Sequence, residues 1–131
     1  MRIQTSLRIL MLITLIFCIC LYGQQSKSYI NIAPMNIRTP YSVTCDHFEK
    51  DFCESAKKKY LNYVQTKGFI LLFDKLKRVN LIPYMDGRYK GQIFHKNKSY
   101  SFCGDEAIIM INGEYYYVSK SLINKIKNLY N

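Results

Sequence analysis

Only a few side chains in this chain have the chemistry to act on a substrate. Two histidines occur, His47 and His95. A histidine pair assisted by a lysine can cleave RNA by acid–base catalysis, one imidazole taking a proton while the other gives one. That chemistry requires the two rings to share a cleft, and 48 positions of chain separate them. The ordinary reading, two surface histidines, is preferred, because His47 precedes a helix-like pattern and His95 falls in a turn-like segment. Asp105 and Glu106 are adjacent carboxylates that could form an acid–base pair or hold a cation. Neighbours in a strand point to opposite faces, however, so acidic turn residues are the simpler reading. No phosphate-binding loop, nucleophile elbow or zinc-protease helix is present, and no cofactor or metal is expected.

The cysteines are more informative. Of five, Cys18 and Cys20 lie in an apolar N-terminal run, leaving Cys45, Cys53 and Cys103. In an oxidising compartment an odd count predicts one bridge and one spare thiol. If Cys45 enters a helix containing Cys53, the two are about 12 Å apart along the axis, too far to bridge. Cys103 then pairs with one of them. Cys53–Cys103 is preferred because Cys53 faces the expected core; Cys45–Cys103 is the alternative.

Several cations and tyrosines could form a recognition surface. Tyr115 and Tyr117 alternate to one face of an expected strand, with Tyr116 and Val118 on the other. If they are exposed beside Arg88, Lys90, Lys96 and Lys98, they make an aromatic and basic patch suited to an acidic partner. Packing of one tyrosine face under helices and solvation of the other is the plainer alternative. Asn97-Lys98-Ser99 is a glycosylation sequon, usable in a eukaryotic source.

The compartment follows from the N-terminus. Arg2 and Arg8 precede fourteen residues, 9–22, that are apolar apart from Thr14, and the first acidic residue is Asp46. This is the pattern of an export signal over residues 1–23, with cleavage after Gly23 or after Cys20. Fourteen residues fall short of the roughly 20 that span a bilayer, so a cleaved signal is preferred and an uncleaved anchor is the alternative. Removal leaves about 108 residues with seventeen basic and nine acidic side chains, a net charge of +8. Such a charge favours a protein or other polyanionic partner, with nucleic acid or anionic membrane as further candidates.

These residues need a scaffold. Residues 24–44, with Pro34 and Pro40, read as an extended leader over a single domain at 45–131, with a short extended piece at Tyr29–Ile32. Asp46 and Glu49 resemble a capping box, and Phe48, Phe52, Cys53, Ala56, Tyr60, Tyr63 and Val64 share one helical face up to Gly68. A second helix is expected over 69–80. Strands are expected at 81–85, 88–94, 99–103, 107–111 and 114–118. Turns fall at Asp86-Gly87, at residues 95–98 and at Asn112-Gly113, the last having the strongest hairpin chemistry. Ser119 or Ser121 caps a final helix with Leu122, Ile123, Ile126, Leu129 and Tyr130 on one face. The expectation is an α+β fold, amphipathic helices on one face of a four- to five-stranded antiparallel sheet with a C-terminal helix. Its expected role is that of an exported non-enzymatic binding module of the inhibitor, immunity-factor or effector type. The alternative is a small basic hydrolase, a ribonuclease using His47 and His95.

Overall fold

The structure is a computed structural model that describes residues 2–22 and 26–131. Gly23, one of the two candidate cleavage positions, lies outside the described residues. The N-terminal run forms helix α1 (Arg2–Tyr22), on which Leu10, Leu12, Leu15 and Phe17 are exposed. Among the described residues no helix is long and apolar enough to cross a membrane.

The remainder is α+β. Strands β1 (Tyr29–Ile32), β2 (Lys57–Tyr60), β3 (Tyr89–His95), β4 (Lys98–Gly104), β5 (Ile108–Ile111) and β6 (Glu114–Tyr117) form one antiparallel sheet in the order β2-β1-β3-β4-β5-β6. Alternation sends Ile30, Ile32, Tyr89, Ile93, Phe102, Ile109 and Ile111 to one face, where they are buried. Helices α3 (Tyr63–Phe73) and α4 (Lys120–Tyr130) cover that face with Phe69, Phe73, Leu122 and Ile126. Each such side chain contributes about 1.5–3 kcal/mol on burial. Gly91 lies between Ile30 and Phe102 in the middle of this layer. A β-carbon there would fall on the Tyr29 carbonyl oxygen and the Phe102 ring, so only glycine lets these strands and rings close up.

Local chemistry accounts for the C-terminal half. Asn112 and Gly113 have φ of 49° and 82°, the left-handed pair that a two-residue hairpin turn requires. Lys96, at φ 54°, turns β3 into β4. Ser119 accepts from the Leu122 N–H at 3.2 Å and starts α4.

The N-terminal half departs from expectation. The long helix expected from Asp46 is instead a 3-10 turn (Cys45–His47), a single helical turn α2 (Phe48–Asp51), strand β2 and then α3. The capping box that matters is Asn62 with Gln65. The Asn62 side chain accepts from the Gln65 N–H at 2.8 Å, and Gln65 Oε1 accepts from the Asn62 N–H at 3.0 Å. That holds Asn62 extended, at φ −77° and ψ 176°, so no helix can run through it. The apparent apolar stripe served separate purposes. Phe48 and Phe52 pack with Ala33 and Val43 in a small second cluster on the other face of the sheet, whereas Tyr60, Tyr63 and Val64 are exposed.

The expected second helix ends at Phe73, because the chain then becomes extended and bonds to β6. Tyr117 donates to the Lys77 carbonyl at 2.9 Å and Val79 to that of Tyr115 at 2.8 Å. Residues 81–85 form no strand, and Asp86-Gly87 is not a hairpin turn; the Asp86 carboxylate instead accepts from the Val43 N–H at 2.7 Å. β1 lies within the sheet, between β2 and β3, rather than over it.

The disulfide is Cys45–Cys103, with Cα atoms 6.0 Å apart, and not the preferred Cys53–Cys103. Cys103 lies on the sheet face away from α3 and α4, in register with Lys90. Cys45 is brought there by the Gly87 N–H donating to the Val43 carbonyl at 2.7 Å and Lys90 Nζ donating to the Cys45 carbonyl at 2.9 Å. With α2 ending at Asp51, Cys53 no longer faces a core; it is an exposed free thiol.

Candidate binding surface

The residues expected to form one aromatic and basic patch are dispersed. Tyr115 and Tyr117 do share the sheet face opposite α3 and α4, and Tyr117 is exposed, while Tyr116 and Val118 pack against the helix-side core. Arg88 is not a surface cation. Its guanidinium bonds Asp86 at 2.7 Å and Thr39 at 3.2 Å, lies 5.5 Å from the Phe52 ring centre, and is 11% exposed. It fastens the wrapping segment 39–52 to β3. Lys90 is likewise engaged, by Glu49 at 2.9 Å and by the Cys45 carbonyl. Burial alone would raise the Glu49 carboxyl, but the Lys90 hydrogen bond, a backbone hydrogen bond at Glu49 and the Lys90 charge together outweigh it and hold the pKa below the ordinary value. Lys96 and Lys98 are exposed at the β3–β4 turn, at the opposite end of β3 from Arg88.

The histidines are also apart. His95 ends β3, with its ring centre 5.7 Å from that of Tyr63, in a shallow cleft with Ser26, Lys96 and Lys98. His47 is exposed beside the disulfide, at the level of Lys90. Five residues of strand, about 17 Å, separate Lys90 from His95. The two rings line no common cleft among the described residues, so the arrangement offers no shared acid–base step. Asp105 is a turn residue: its Oδ1 accepts from the N–H groups of Ala107 at 2.7 Å and Ile108 at 2.8 Å, and Oδ2 from that of Asp86 at 3.1 Å. Glu106 pairs with Lys127 at 3.0 Å. Among the described residues no group of His, Cys, Asp or Glu could hold a metal ion.

A different cationic and aromatic cluster is assembled on β1 and β2. Tyr29 opposes Tyr60 across the two strands, and Asn31 opposes Lys58, all on the face away from α3 and α4. Lys58 Nζ lies 4.3 Å from the centre of the Tyr29 ring and 5.3 Å from that of Tyr60, and Lys27 Nζ 6.0 Å from the latter. The ring faces attract the ammonium groups and hold the lysines over the strand without neutralising them. Lys59 and Lys57 point to the other face, where Lys57 donates to the Tyr130 carbonyl at 3.3 Å and lies 4.4 Å from its ring centre. There the ammonium meets the negative end of α4. All four β2 side chains are exposed, and Lys27, Lys57, Lys58 and Lys59 enter no ion pair among the described residues.

This cluster was missed in the sequence because residues 57–59 fall within the long helix expected from Asp46 to Gly68. The available signal was the Asn62–Gln65 capping box, which places a helix start after Tyr60 and leaves the lysines outside it. No family model, curated protein or solved structure matches the chain.

Proposed function

We propose that the chain is an exported, non-enzymatic binding protein that engages an acidic protein partner through β2 and the Tyr29–Tyr60 face. The observation that carries this reading is the run Lys57, Lys58, Lys59 on an exposed edge strand, without counter-ions among the described residues and with Lys57 and Lys58 held over tyrosine rings. Unneutralised lysines on a fixed strand present a field that an acidic surface can satisfy at little ordering cost. Export is supported by the cationic and apolar N-terminus and by a disulfide, which suits an oxidising compartment. The patch differs from the one expected at Tyr115, Tyr117, Arg88, Lys90, Lys96 and Lys98, since Arg88 and Lys90 are consumed in internal bonds. The hydrolase alternative draws no support from His47 and His95, which lie toward opposite ends of β3.

Retention on immobilised poly-glutamate at rising salt tests the reading. Binding should be firm at low ionic strength and fall at least tenfold on approaching 1 M salt, where the screening length is about 3 Å. Absence of binding at low salt, or binding indifferent to salt, would sink it.

A further inference from the structure

The two edges of the sheet are treated differently. At β6 the main chain is covered, because Lys77 and Val79 are bonded to Tyr117 and Tyr115. At β2 nothing among the described residues covers it. The Leu61 N–H donates to the Ser28 carbonyl at 2.9 Å, making Ser28 and Leu61 a hydrogen-bonded pair across β1 and β2. Bonded and non-bonded pairs alternate in an antiparallel ladder, so Ile30 with Lys59, and Ile32 with Lys57, are bonded pairs too. The N–H and C=O groups of the residues between, Lys58 and Tyr60, therefore point outward from the sheet. They are a two-residue docking edge of alternating donors and acceptors.

From this we infer that β2 accepts an extended acidic segment of another protein as an added antiparallel or parallel strand, main chain to main chain, with its carboxylates against Lys58 and Lys59. The inference rests on the acidic-partner reading above and specifies its geometry. Three features argue for it. A peptide backbone is the one ligand that matches outward N–H and C=O groups in alternation; nucleic acid and lipid headgroups could use only the lysine side chains. The strand contains neither proline nor a glycine that would break its pairing. The lysines also select. A second copy of this chain would oppose lysine to lysine, which is destabilising and is a common protection of edge strands against self-pairing. For a segment with acidic side chains the same lysines are attractive. Lys58 lies on one face and Lys59 on the other, so the partner should carry acidic residues at adjacent positions, one for each face.

Amide hydrogen exchange of the full protein, followed residue by residue by NMR, tests this with a synthetic peptide of alternating glutamate and threonine and with a longer Glu-Glu-Thr repeat. The expected result is slowing of exchange at Lys58 and Tyr60 by at least tenfold in the bound state. Lys57 and Lys59, already bonded to β1, should change little. The same peptides N-methylated at alternate residues should bind at least tenfold more weakly. Lys58→Glu with Lys59→Glu should lose the acidic peptide and gain a lysine and threonine counterpart. Binding that survives N-methylation and leaves Lys58 and Tyr60 unprotected would overturn strand addition while the acidic-partner reading stands. No binding to the peptides or to poly-glutamate would overturn both. Protection of Lys58 and Tyr60 that appears in the free protein as its concentration rises would assign the edge to self-association. Equal affinity for phosphatidylserine vesicles, with these amides unprotected, would assign the lysines to a membrane surface. Either result contradicts the inference.

Discussion

Lys58 on β2 holds its ammonium 4.3 Å above the ring of Tyr29 on β1, across the junction of two strands separated by 24 residues of chain. This contact makes an edge-strand lysine an ordered, unneutralised charge. Because both partners are near solvent, its contribution to stability is small, about 0.5–1 kcal/mol. Lys58→Ala should therefore shift the melting temperature by only a few degrees while weakening retention on poly-glutamate severalfold. A large loss of stability would mean that the lysine is structural rather than a binding group.

The disulfide anchors the segment that wraps the other face of the sheet. Its cysteines are 58 residues apart, and constraint of the unfolded chain over that length contributes about 4 kcal/mol. Reduction, or Cys103→Ser, should lower stability by roughly that amount in denaturant titration. Cys53→Ser should leave it unchanged within about 0.5 kcal/mol, since Cys53 is exposed and unbridged. The opposite ranking would assign the bridge to Cys53.

Gly91 is the tightest point of the helix-side layer. Gly91→Ala drives a methyl group into the Tyr29 carbonyl and the Phe102 ring and should cost about 1–3 kcal/mol, read from the denaturation midpoint. An unchanged midpoint would show that β1 and β3 do not pack as described.

Tyr89 is fully buried and donates to the Asp105 carbonyl at 2.8 Å. Burial, together with the nearby Asp105 charge, raises its pKa well above the usual 10. A raised folded value means that neutral Tyr89 adds no penalty below about pH 10, the unfolded value. Above it the unfolded chain gives up the proton while the folded chain keeps it, and stability falls by up to about 1.4 kcal/mol per pH unit. Tyr89→Phe should flatten this alkaline decline, at a cost of about 1 kcal/mol near neutrality from the lost hydrogen bond. An alkaline slope as steep in the variant as in the parent would contradict the assignment.

The parts of the fold legible in the sequence are those specified by adjacent residues. Asn112-Gly113 can adopt the required left-handed pair, Ser119 caps the helix that follows, and alternation over residues 107–118 separates the two faces of β5 and β6. The class, helices on one face of an antiparallel sheet, followed from these and was correct, although the sheet has six strands among the described residues. What was not legible depends on distant pairing. β2 has exposed residues on both faces and so no alternation to read; only its ladder with Tyr29–Ile32 makes it a strand. The helical spacing of Phe48, Phe52, Ala56 and Tyr60 was fortuitous, since the first three serve the small cluster and Tyr60 faces solvent. Misplacing β2 in a helix concealed both the lysine edge and the true partner of Cys103. The local clue was Asn62 followed three residues later by Gln65.

Net charge alone could explain binding to any polyanion, so the account turns on where the charge acts. The most direct test compares two triple variants of equal charge for affinity to poly-glutamate at low salt. One replaces Lys57, Lys58 and Lys59 with alanine; the other replaces the exposed Lys67, Lys96 and Lys98. The account predicts at least a tenfold loss in the first and little change in the second. Equal losses in both, or a greater loss in the second, would contradict it.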